Sequence, residues 1–195
     1  MRRERRVGRR RGGSVWKGLM AGAVGGLAAA WTMNQFQALW SRLAEGEERS
    51  HGAQSMQQGT PQHGIGRKLE LRGSDDADDN AAVRAANAVS ELVFEHPLTK
   101  GEKEAGGAVA HYAMGVGSGA IYGALAELVP EATVGTGMPF GVAVWIVADE
   151  LVVPALGLSK SPTKYPLETH AYAIASHIVY GLTTEVVRGT VRAAL

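Results

Sequence analysis

The sequence predicts an all-α protein: a polytopic membrane helical bundle with four spans and an additional amphipathic helix outside. Three observations carry that expectation. The 20 basic and 19 acidic residues are segregated, with seven arginines packed into residues 2 to 11 and twenty more charges between Arg42 and Glu104, as wet connections between apolar runs would require. The remaining stretches are nearly free of charge over lengths near the ~20 residues that cross a bilayer core. Glycines recur four apart within them, at Gly18, Gly22 and Gly26, at Gly115, Gly119 and Gly123, and at Gly137 and Gly141.

Residues 1–13 read as a basic cytoplasmic tail. Clustered arginine could neutralise phosphates, but no aromatic residue interrupts "MRRERRVGRRRGG" and no nucleic-acid motif surrounds it, so a nucleic-acid partner is disfavoured. A basic flank before an apolar run more simply stays on the cytoplasmic side. Residues 14–43 form the first transmembrane helix. Its uncharged run from Gly18 to Ser41 lies between Trp16 and Trp40, as headgroup anchors would, and runs on past the point where a signal peptide would be cut.

Residues 44–77 are a polar, glycine-rich external loop. Over 78–97 an external amphipathic helix is expected, with Ala82, Ala85, Ala86, Val89, Leu92 and Val93 on one side and Arg84, Asn87, Glu91 and Glu95 on the other. It would lie on the membrane surface or on the bundle. Thr99 and Glu102 form a T-x-x-E capping box that opens a three-span helical membrane region, 99–195. Its spans are expected over Ala105 to Ala126, Ala132 to about Leu158, and Thr169 to Thr184. The arginine bias places both termini in the cytoplasm of a bacterial inner (plasma) membrane. A soluble helical domain is the fallback, given a mean hydropathy of −0.07.

Glycine at four-residue spacing lets helix backbones approach closely, the main source of packing energy where lipid surrounds both partners. Such faces can also join copies of the chain into a homo-oligomer. "HYAMGVGSGAIYGALAELV" and "HAYAIASHIVYGLTTEVV" both end in Tyr-Gly-x-x-x-Glu, aligning Tyr122, Gly123 and Glu127 with Tyr180, Gly181 and Glu185; chance similarity and a parallel repeat of helix hairpins both explain this. These two segments and "GMPFGVAVWIVADELVVPALGLS" resemble the YagU-like family of small bacterial inner-membrane proteins. The resemblance covers roughly residues 80 to 190. It implies a multi-pass helical protein and brings no known activity.

Titratable groups within apolar spans cost ~2.5 to 3.5 kcal/mol at the bilayer centre on insertion scales. His111, Asp149, Glu150 and His170 fall in the outer half, His177 near the middle, and the polar residues Tyr122, Glu127, Tyr180 and Glu185 toward the inner edge. Asp149 and Glu150 differ by about 100° around an α-helix, so one of them is expected to meet the histidines. These groups fit an ion or metal pathway, for protons or a divalent metal ion. They fit equally a set of interhelical hydrogen bonds in a non-catalytic scaffold or stress-related protein, or solvated interfacial positions. Cysteine is absent, which excludes disulfides and thiolate sites. No P-loop, G-x-S-x-G, H-E-x-x-H or dinucleotide fingerprint is present, and His51, His63 and His96 fall in polar segments as surface histidines.

Overall fold

A computed structural model describes residues 14–44 and 79–195; the basic tail and the connection expected over 44–77, Ala44 excepted, lie outside them. The described residues are helical, without strands. Helix α1 is Val15–Ala44, α2 is Ala81–Phe94 and α3 is Lys100–Leu128. A 3₁₀ turn, Pro130–Thr133, leads to α4, the continuous run Met138–Ala155. Helix α5 is Leu167–Ala194. Each expected span coincides with a long helix, although α4 starts at Met138 rather than near Ala132. The residues between wind through the 3₁₀ turn and a tight turn with Gly135 and Gly137 at φ of 75° and 81°, a region open to glycine without a Cβ penalty.

Helix α1 packs against both α3 and α5, α4 packs on α5, and α2 on α3. Backbone contact governs two of these seams. A Cβ built on Gly119 would stand 2.5 Å from the Gly22 carbonyl oxygen and 2.7 Å from Gly26 Cα, and one on Gly22 2.9 Å from Gly123 Cα. The two ladders therefore face each other antiparallel, Gly18 to Gly123, Gly22 to Gly119 and Gly26 to Gly115. On the other seam Gly137 meets Gly181, and Gly141 meets the His177 carbonyl. Aligning the two Tyr-Gly-x-x-x-Glu segments superposes these seams: Gly123 and Gly181 each receive the first glycine of the partner helix. Both pairs, α1–α3 and α4–α5, thus run antiparallel with glycine at matching positions.

The buried residues mix small apolar and aromatic side chains with polar ones, while many large apolar side chains face outward. Trp31, Ile121, Leu128 and Leu167 are exposed, while Ser176, His177, Thr184 and Arg188 are buried. One helix, α4, is long and apolar enough to cross a membrane. Helices α1, α3 and α5 are long enough but diluted by glycine and inward-facing polar residues. Helix α2 packs on α3 with its polar side inward. Ala81, Arg84, Asn87 and Ser90 face inward, leaving Val89, Leu92, Val93 and Phe94 outward. Its polar groups explain the choice, because each finds a backbone partner there. Arg84 Nη1 donates to the Leu158 carbonyl at 3.1 Å, Leu98 N–H to Asn87 Oδ1 at 2.7 Å, and Ser90 Oγ to the His96 carbonyl at 2.9 Å.

The capping box forms as expected, with the Glu102 carboxylate accepting from the Thr99 N–H at 2.8 Å and from its hydroxyl at 2.7 Å. These bonds hold the Glu102 carboxyl below its ordinary range. A depressed acid stabilises the fold above the unfolded value and loses that contribution as pH falls through the folded one. Thr99→Val should therefore lower the melting temperature at neutral pH and narrow the further loss on acidification, measured by circular dichroism melts at both conditions.

Candidate functional site

The buried face of α5 is polar along most of its length: Thr169, Tyr172, Ser176, Tyr180, Thr184 and Arg188 follow one another at three- and four-residue steps, with His177 beside Ser176, the repeat that keeps side chains on one side of a helix. Close approach at Gly141 and Gly181 brings α4 against this stripe. Within α4, residues Ile146–Val152 wind as a π-helix, a feature enriched at functional sites. Its slower turn sets consecutive side chains closer in angle than an α-helix does.

That winding alters the expected acid pairing, for both acids meet a histidine. Asp149 Oδ2 lies 3.7 Å from His177 Nε2, and Glu150 Oε1 lies 2.9 Å from His170 Nδ1. The two pairs differ chemically. His170 Nε2 also reaches the Pro162 carbonyl at 3.2 Å, so both ring nitrogens face oxygen acceptors. Holding both contacts takes an N–H at each nitrogen, or a proton on Glu150. His170 is thereby committed to fastening the α4–α5 connection. His177 Nδ1 lies 2.8 Å from the Ala173 carbonyl, a contact that takes an N–H at Nδ1, and its Nε2 faces Asp149.

His111, from α3, joins the second pair. It lines a cavity of ≈ 80 Å³ together with Met33, Ser118, Asp149, His177 and Tyr180. Its Nε2 is buried without a hydrogen-bond partner, the Ala30 carbonyl being the nearby backbone group. His111 and Met33 also line a cleft of ≈ 400 Å³ toward the α2 end of the bundle, bounded by Asn34, Gln37, Ser41, Asn80, Tyr112 and Tyr172. The two spaces share His111 and Met33 in their walls. Either has room for ordered water among polar partners.

Beyond the smaller cavity the bundle closes. The Tyr180 hydroxyl donates to the Gly115 carbonyl at 2.7 Å and stands 2.9 Å from Ser118 Oγ. Tyr122 stacks on Phe140 at 4.2 Å, and Phe140 adjoins Tyr180 at 5.9 Å. Behind these rings Arg188 pairs with Glu185 at 2.6 Å and lies 5.9 Å from the Tyr122 ring centre. Arg192 pairs with Glu127. Glu127 and Glu185 are thus both partners of arginine.

Of the predicted residues, the structure gathers His111, Asp149 and His177 about one space and sets His170 and Glu150 aside as a fastening pair. Among the described residues no three His, Asp or Glu groups converge as a metal ion would need. Sequence reasoning missed Ser118 and Ser176, and it did not count Gly25 or Gly181 among the packing glycines. The steps of three and four that tie Ser176 and His177 to Tyr180 and Thr184 were the available signal.

Residues 90–186 match the model of a family described as "Protein of unknown function (DUF1440)". The match includes His111, Asp149, Glu150, His170 and His177 and leaves out α1. No curated protein and no solved structure matches the chain.

Proposed function

We propose that a chain whose central segment matches an uncharacterised family is an integral bundle of the bacterial inner membrane, with both termini cytoplasmic, that carries protons along an internal half-pathway. The reading as a membrane protein is supported by exposed Trp16, Trp31, Val109, Ile121 and Leu125 around buried serine, threonine and histidine. In water that distribution would waste most of the available apolar burial; in lipid it is the expected one. The surrounding partner is then the bilayer.

The observation that carries the proton reading is that His111 borders both the outer cleft and the His177–Asp149 cavity. A proton relayed by water from the cleft is taken up at His177 Nε2 in the neutral imidazole, and the Asp149 carboxylate facing that atom stabilises the resulting imidazolium. The Tyr122–Phe140–Tyr180 rings block further passage in this state, so a proton leaves by the same side or after those rings separate. A divalent metal ion is the weaker cargo, since His111, Asp149 and His177 do not close to ligand distances.

The test is acidification of proteoliposomes holding a pH-sensitive dye under an imposed gradient. Wild-type protein should conduct, and His177→Leu or Asp149→Asn should each slow the flux by about an order of magnitude or more. His170→Gln should leave most of it. A wild-type protein that carries no proton sinks the proposal. It would favour the non-catalytic scaffold, to which the Tyr180–Gly115 hydrogen bond and the glycine seams are equally suited.

A further inference from the structure

The ≈ 80 Å³ cavity has walls of a kind that proton transfer does not use. Met33 of α1 and Met114 of α3 line it together with His177 and Asp149, so thioether sulfur, imidazole nitrogen and carboxylate oxygen border one space. Met33 is buried, and Met114 is half exposed. The His177 and Asp149 side chains are nearly enclosed, at 9% and 11% exposure, and the 3.7 Å between Nε2 and Oδ2 is too long for a hydrogen bond. The neighbouring pair, Glu150 and His170, closes to 2.9 Å. His177 and Asp149 are held apart, which leaves room between the cavity's donors for a third species.

Charge and softness limit what that species is. A divalent ion would keep one positive charge beyond the single carboxylate, which is costly in a buried site. A monovalent cation is neutralised by an ionised Asp149. Thioethers are soft ligands that select Cu(I), while hard ions prefer carboxylate, carbonyl and water oxygen. Methionine is unbranched, with three rotatable bonds, so both sulfurs can swing toward His177 Nε2 without moving a helix. That no three His, Asp or Glu groups converge among the described residues is then no obstacle, because sulfur supplies two of the donors.

We propose that Met33, Met114 and the Nε2 of His177 form a site for one cuprous ion, with the Asp149 carboxylate balancing its charge. The site shares His177 and Asp149 with the proton pathway but does not rest on it, because binding requires neither a gradient nor flux. Full-length protein in nanodiscs is titrated anaerobically with Cu(I) against the chromogenic chelator bicinchoninate, in the absence of any pH gradient. Zn(II) serves as the divalent comparison, and X-ray absorption reads the ligands of the Cu(I) form.

One Cu(I) per chain is expected, with sulfur among its ligands; the chain has no cysteine, so that sulfur belongs to methionine. Met33→Leu combined with Met114→Leu should weaken binding by about tenfold or more and remove the sulfur signal. Leucine and methionine are close in volume, a swap that packed cores tolerate. Should the double variant fail to fold, Met114→Leu at the half-exposed position carries the same comparison. A wild type that binds Cu(I) in this way without conducting protons removes the pathway alone and upholds the site. Absence of Cu(I) binding, a ligand shell of nitrogen and oxygen only, equal retention of Zn(II), or undiminished binding by the folded variant overturns the assignment.

Discussion

Gly119→Ala is expected to break the α1–α3 seam, whereas Gly117→Ala, the same change two residues away on the same helix, is expected to be harmless. The added methyl at Gly119 would lie 2.5 Å from the Gly22 carbonyl oxygen and 2.8 Å from Gly26 N. Both neighbours are backbone, so no side chain can rotate away and the helices themselves must part. Overpacking costs roughly 1–3 kcal/mol where side chains can yield, and this site should reach or exceed the upper figure. At Gly117 nothing lies within 4 Å, and alanine there gains up to about 1 kcal/mol of helix propensity. Denaturation in mixed micelles, followed by circular dichroism, should separate the two variants in opposite directions from wild type. Equal effects would mean that the seam does not hold the bundle together.

That contrast also marks how far the sequence could be read. Four-residue spacing identified Gly115, Gly119 and Gly123 as a packing face because periodicity is a property of one helix, and it left Gly117 out for the same reason. It could not identify Gly181, whose partner Gly137 lies on another helix with no regular spacing to announce it. Helix α2 was legible as amphipathic, but not which side turns inward. That depends on the Leu158 carbonyl, supplied by a segment over seventy residues later. Asp149 and Glu150 were read on α-helical angles, and the π winding at Ile146–Val152 was invisible in composition. His177 stood out in the sequence because its position left it no easy route to water, and it is 7% exposed in the fold. The separation of His170 from His177 arises from the Pro162 carbonyl, a tertiary contact that no repeat length encodes.

Arg84→Leu should release the α4–α5 connection while leaving the bundle assembled. Arg84 is fully buried on α2, and its Nη1 donates to the Leu158 carbonyl at 3.1 Å. Leu158 and Ser159 are buried in turn, at 5% and 1% exposure, so the connection is held where its backbone cannot turn to water. Leucine fills part of the guanidinium's space but donates nothing. The stranded carbonyl then costs about 1–3 kcal/mol, which favours local opening over the closed state by roughly ten- to a hundredfold. Exposed Lys160 and Lys164 lie just beyond the buried pair, so trypsin reports the opening directly. Cleavage at these lysines should accelerate by that factor, with Arg84→Lys intermediate because an ammonium offers a donor without the planar fork. The α1–α3 seam is built on glycine backbones, and melting of the bundle should change far less than cleavage. With spheroplasts, the same digestion tests orientation: cutting by external trypsin agrees with an outward connection and cytoplasmic termini, and protection until the membrane is opened reverses the topology. If Arg84→Leu is cut no faster than wild type, the inward polar face of α2 does not fasten the connection, and its preference for that side has another cause.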